Sequence, residues 1–220
     1  MSIRAETHGL PSWAKIGVCL LALAPLGCTV GEGEGRVSSD HIWVAGCWNG
    51  AFDLNPDFFG VNPDPGESLT IRVQRGDNIE DVSDGLIVLV NDLPEIRKQL
   101  GKDLPVGMPR GVAPSGVPIV FNPEPAKISL VLYLHNSCHL QNGTIYSVNG
   151  TINFNSLFSG DPNESSSEAR LTDATFDANF ADPRELVDIQ NPDDAAKVTS
   201  RVTGNFHFFF QRGQPSQPFQ

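Results

Sequence analysis

The chain has 220 residues, 40% of them hydrophobic, and a formal net charge of −11 from 15 lysines and arginines against 26 aspartates and glutamates. That length supplies one substantial domain with its own core. The acidic balance, with no lysine–arginine cluster, argues against nucleic acid as a partner, because such binding rests on neutralising phosphates.

Arg4 and Lys15 precede an apolar run from Ile16 to Leu26, and Gly27-Cys28 close it. The run is shorter than the roughly 20 residues of a spanning helix and matches the apolar core of a signal peptide. Pro25 breaks any helix where a cleavage site needs extended chain. The expectation is a signal segment over residues 1–27 and a lipid on Cys28, with an ordinary cleaved signal or an uncleaved anchor as alternatives. Removing residues 1–27 leaves 193 of the 220, and the discarded Arg4, Lys15 and Glu6 put the remainder near −12. TVGEGEG, Thr29 to Gly35, offers no surface for packing, so 28–36 reads as a lipidated cysteine with a flexible tether and 37–220 as the domain. Several acyl chains at about 0.8 kcal/mol per buried CH₂ would hold that domain firmly to a membrane.

Of the four cysteines, Cys19 falls in the discarded run and Cys28 takes the lipid, which leaves Cys47 and Cys138, 91 positions apart. An even pair in an exported chain reads as a disulfide, and closing so long a loop contributes about 4 to 5 kcal/mol in the chain-entropy account. Two free thiols are the alternative.

In chain order, His41 to Trp48 is rich in β-formers and opens a sheet, and Asn49 to Pro65, dense in Asn, Asp, Pro and Gly, reads as loop. Ser68 to Arg75 alternates, with Leu69, Ile71 and Val73 on one face. Gly85 to Val90 has no alternation and suits a central strand covered on both faces. Asp92 then caps a short helix that turns Ile96 and Leu100 inward and stops at Gly101. Prolines at 105, 109, 114, 118, 123 and 125 make an irregular connection. Lys127 to His135 returns to alternation, with Ile128, Leu130, Leu132 and Leu134 facing the core. Asn149-Gly150 between two β-rich runs predicts a hairpin turn. Ala174, Phe176, Ala178 and Phe180 mark another strand, and Val202, Gly204, Phe206, Phe208 and Phe210 the last. Seven or eight strands and one short helix predict a mostly β fold, a single antiparallel β-sandwich with a jelly roll as one form of it.

CTVGEGEG at 28–35, FDLNPDFF at 52–59 and QRGQPSQPF at 211–219 resemble a group of lipoproteins from myxobacteria and their relatives. The likeness implies a lipidated Cys28 and brings no assigned activity with it. Thr29 in place of an aspartate beside the cysteine likewise resembles lipoproteins sorted to the outer membrane.

Three chemistries are weighed on the residues themselves. His135, Cys138 and His139 lie within five positions and have the donor types of a zinc site or a cysteine nucleophile. They lack a second ligand pair elsewhere, and a turn with a disulfide is the plainer reading. The acidic stretches Asn62 to Glu67, Asp77 to Asp84 and Asp161 to Glu168 carry calcium-type oxygens without the spacing of an EF-hand loop. Trp43, Trp48 and Tyr133 would make a stacking platform for a sugar if they shared a face. GxSxG, HExxH, Walker and dinucleotide-binding patterns are all missing from the sequence. The reading is therefore a non-catalytic, lipid-anchored envelope domain without cofactor, presenting loops to an envelope protein or a glycan. A carbohydrate-binding module is the alternative, and a secreted hydrolase or metalloenzyme a more distant one.

Overall fold

The computed structural model describes residues 33–64, 66–76, 83–112, 126–138, 141–187, 189 and 197–211. The signal segment and Cys28, the acidic stretch 77–82, the proline-rich 113–125, His139 and the last motif from residue 212 lie outside them.

Ten strands form one sheet: β1 (Gly33–Val44), β2 (Trp48–Leu54), β3 (Phe58–Asp64), β4 (Ser68–Gln74), β5 (Gly85–Val90), β6 (Asp103–Pro105), β7 (Ile128–Cys138), β8 (Gln141–Ser156), β9 (Leu171–Ala181) and β10 (Ser200–Phe209). They lie in the order β2-β1-β10-β9-β8-β7-β5-β4-β3, all antiparallel, with β6 added beside β8. The described helical elements are α1 (Leu93–Arg97), α2 (Ser167–Arg170) and a 3-10 turn at Pro183–Leu186. The mostly β, antiparallel expectation describes this chain.

The sheet is strongly curled, and a short loop joins the strands at its two ends. β2 and β3 stand at opposite ends of the strand order, yet only residues 55–57 separate them along the chain. Among the described residues no backbone ladder joins β3 to β1 or β2. Side chains close the gap: the ring of Phe59 on β3 stacks on Phe208 of β10 at 5.6 Å and 26°. A Cβ on Gly33 would sit 2.5 Å from Phe208 Cβ and 2.9 Å from the Phe59 ring, so this contact needs a glycine there. Inside the curl every strand contributes to one apolar cluster, including Val37, Leu54, Ile71, Val88, Leu104, Leu132, Phe154, Phe180 and Phe206.

The alternating strands carry the faces their sequences imply. Leu69, Ile71 and Val73, the four residues Ile128 to Leu134, Ala174 to Phe180, and Val202, Phe206, Phe208 and Phe210 are all buried. Gly204 shares that face, and a Cβ on it would meet the Phe176 ring at 2.5 Å.

Several expectations are corrected. Asn49 to Pro65 is largely sheet, because Phe52, Leu54, Phe59 and Val61 point into the core while the Asn and Asp residues between them point outward. β1 begins at Gly33, inside the expected tether, since Gly33 to Arg36 pair with Phe208 to Asn205. β5 does alternate: Leu86, Val88 and Val90 are buried, and Ile87 and Leu89 only half-buried. Leu93 and Ile96 anchor α1, whereas Leu100 is exposed. The Asp92 side chain makes no cap, and its carboxylate accepts instead from Lys127 Nζ at 2.7 Å.

Asn149-Gly150 is not a hairpin turn. β8 runs straight through it, with a bulge that leaves Val148 unpaired between Ser147↔Phe180 and Asn149↔Asn179. Gly150 takes φ +118° and lies so close to β9 that a Cβ would approach Ala178 Cα to 2.4 Å. The bulge switches which residues face inward, from Ile145 before it to Ile152 and Phe154 after it. Ser147 covers the polar cost, accepting from Leu130 N–H and donating to Gly107 carbonyl oxygen, both at 2.8 Å.

Two substitutions test the closure. Phe208→Ala should lose about 3–5 kcal/mol in urea unfolding, by removing a buried ring that packs β10 against β3. Leu100→Ser, on an exposed position, should stay within about 0.5 kcal/mol of the parent.

Candidate functional site

The strand directions give the domain two distinct ends. Gly33, the end of β10, the start of β9 and the end of β8 share one end, because Gly33 pairs with Phe208, Phe209 with Leu171 and Asp173 with Ser156. At the other end lie the β1–β2 turn, the start of β10, the end of β9 and the junction of β7 with β8.

Cys47 and Cys138 form a disulfide at this second end. Cys47 sits in the β1–β2 turn, and Cys138 ends β7 after the pairing with β8 shifts beyond Leu134. Three strands separate β1 from β7 in one direction round the curl, and three separate β2 from β7 in the other. The bond is thus a clasp across the mouth of the sheet, not a staple between neighbouring strands. By closing a 91-residue loop it contributes most of its effect in the unfolded chain.

Beside the clasp lies a cleft of about 490 Å³, lined by Val44, Ala45, Cys47, Val112, Cys138, Gly143, Thr144, Tyr146, Asp182, Pro183 and Arg184. Its charged part is a single ordered pair. Asp182 caps the 3-10 turn, accepting from Arg184 backbone N–H at 2.9 Å, and the Arg184 side chain folds back on the same carboxylate. Arg184 Nε donates to both carboxylate oxygens at 3.0 Å, and Nη2 donates to Oδ2. Asp182 is 5% exposed, whereas the Arg184 side chain is 81% exposed. The hydrogen bond and charge of Asp182 raise the Arg184 pKa. Burial, and then the Asp182 charge, raise that of Tyr146, so its phenol keeps its proton. Behind these residues Val148, Met108, Ala181 and Leu186 form a second small apolar cluster that fixes the 3-10 turn against β8 and β9.

The sequence-derived candidates distribute unevenly. The disulfide pair is brought together as expected. That bond removes Cys138 from any metal or nucleophile role, because both need a thiolate, and it dissolves the proposed His135–Cys138–His139 set. His135 donates its backbone N–H to Asp84 Oδ1 at 2.9 Å, and His139 lies outside the described residues. Among the described residues no three His, Cys, Asp or Glu side chains come together as metal ligands. The aromatic platform is also corrected. Trp48 pairs with Val44 on the core side, with its ring edge-on to Phe52 at 6.0 Å, while Trp43 pairs with Asn49 on the outer side. Tyr133 stands on β7, across the curl. Trp43 and Trp48 both line a hollow at the β1–β2 turn, and Tyr133 is not among the described residues that line it.

Sequence reasoning missed Tyr146, Asp182 and Arg184. Asp-Pro-Arg does carry a turn-capping signal, but nothing in the sequence places it beside a tyrosine 36 positions earlier and the clasp. Comparison with protein-family models, curated proteins and solved structures found no match.

The clasp predicts a measurable effect. Reduction, or the paired change Cys47→Ala with Cys138→Ala, should lower unfolding free energy by about 2–5 kcal/mol in urea titrations. The far-UV spectrum before the transition should be unchanged, since the sheet ladders do not depend on the bond.

Proposed function

We propose that the chain is an exported lipoprotein of the bacterial cell envelope, held at the outer membrane by lipid on Cys28, and that it binds through its clasped end without catalysing a reaction. The observation that carries this is the spacing between the lipid candidate and the fold. Cys28 stands five positions before Gly33, where β1 begins. Five residues reach at most about 17 Å, so the end of the sheet that holds Gly33 lies against the bilayer. β1 then runs twelve residues to the opposite end, roughly 36 Å at the rise of a strand. The anchor and the cleft therefore occupy opposite ends of the molecule.

Two further features support the reading. The Ile16 to Cys28 stretch has the order of a lipoprotein signal. A structural disulfide also belongs to an oxidising compartment such as the periplasm or the cell surface. The cleft offers no paired general acid and base, and its Asp182 is fully engaged with Arg184. Binding is the function that arrangement serves.

Cys28→Ser is the direct test. Expressed from its own signal in a Gram-negative host, the parent protein should fractionate with outer membranes and the variant should leave them. A parent protein found in the cytoplasmic fraction would overturn the proposal.

A further inference from the structure

The Arg184 guanidinium has two edges that can each grip a carboxylate, one formed by Nε with Nη2 and the other by Nη1 with Nη2. Asp182 occupies the first through Nε and Nη2. Among the described residues no partner takes the second edge, which belongs to a side chain that is 81% exposed and lines the cleft. Arg184 is not a loose surface arginine, because three side-chain bonds to a buried carboxylate and its own backbone N–H bond hold it in one orientation. Tyr146 and Thr144, both hydroxyl-bearing residues, line the same cleft. The rest of the wall is apolar: Val44, Ala45, Val112, Pro183 and the disulfide. One fixed cationic edge, neighbouring hydroxyl donors and an apolar wall define a ligand with one acidic group on a compact body.

We propose that this cleft binds a small molecule through a carboxylate, which takes the Nη1–Nη2 edge of Arg184 and accepts a hydrogen bond from Tyr146. Asp182 acts as the positioning residue that aims the guanidinium, and the disulfide fixes the facing wall. This site goes beyond the anchored reading and does not depend on it, since it stands or falls with the cleft alone.

Isothermal titration of the full chain in detergent micelles, with its disulfide oxidised, tests the proposal. Two matched pairs serve as probes: galacturonate with galactose, and benzoate with benzyl alcohol. At least one carboxylate should bind saturably at one site per chain, with its neutral counterpart at least about tenfold weaker, the size of one charge-assisted contact. Saturation by galacturonate alone identifies a sugar acid, and by benzoate alone a simple organic acid. Arg184→Lys keeps a cation beside Asp182 but loses the forked edge, and it should weaken binding by about tenfold. Tyr146→Phe should weaken it by about three- to tenfold. The proposal is overturned if neither carboxylate saturates below about 10 mM, or if Arg184→Lys binds as tightly as the parent.

Discussion

The fold depends on a closure made by side chains. A ten-stranded sheet with two free edges would expose unpaired backbone groups on β2 and β3. This chain turns one edge back toward the other through residues 55–57 and packs Phe59 against Phe208 beside Gly33. Residues near that contact are selected for what they leave out as much as for what they bury. Gly33 and Gly204 lie where a Cβ would strike a ring, and Gly150 where it would strike backbone. A ladder of hydrogen bonds would have fixed the closure by backbone alone. Here the aromatic packing of β10 with β3 holds the two walls face to face.

The clasp complements that closure at the opposite end. Packing around Phe208 and Gly33 holds the end from which the chain enters the fold, and Cys47–Cys138 holds the far mouth. Between them lie bulges that let strands bend round the core, and side chains there take up some of the backbone groups that leave the ladders. At the shift in β1, Ser39 Oγ donates to Arg201 carbonyl oxygen at 2.6 Å and Ser200 Oγ accepts from Trp43 N–H at 2.9 Å, in place of ladder bonds. The outer face of β8 to β10 is short-chained and polar, with Asn179 bonded to Asn149 and Arg201 to Asp177. That face solvates the sheet, and the cleft beside the clasp is where polar groups converge on a concavity.

Much of this was legible in the sequence, and the failures have physical causes. Period-2 alternation identified β4, β9 and β10 because each buries mainly one face, and β7 through its alternating Ile128, Leu130, Leu132 and Leu134 although Val131 and Tyr133 on its other face are buried too. The cysteine pair was legible because Cys47 and Cys138 are the two cysteines that fall outside the expected signal segment and its lipid site. β2 and β3 were hidden because Asn, Asp and Pro dominate their outward positions, and composition outweighed the inward Phe and Leu. Asn149-Gly150 misled for a related reason. Glycine serves a bulge and a close strand approach as well as a turn, and only the partner strand decides between them. The Tyr146–Asp182–Arg184 group was not legible at all, because it is assembled by the pairing of β8 with β9 and by the 3-10 turn that follows.

The proposed anchor on Cys28 and the proposed ligand cleft would give this domain a membrane end and a working end. The mass of the intact protein extracted from membranes, alkylated with and without prior reduction, tests that description most directly. A mass that starts at Cys28 and carries acyl chains, gaining two alkyl groups only after reduction, is the predicted result. A chain without lipid whose Cys47 and Cys138 alkylate freely would contradict both the anchor and the clasp.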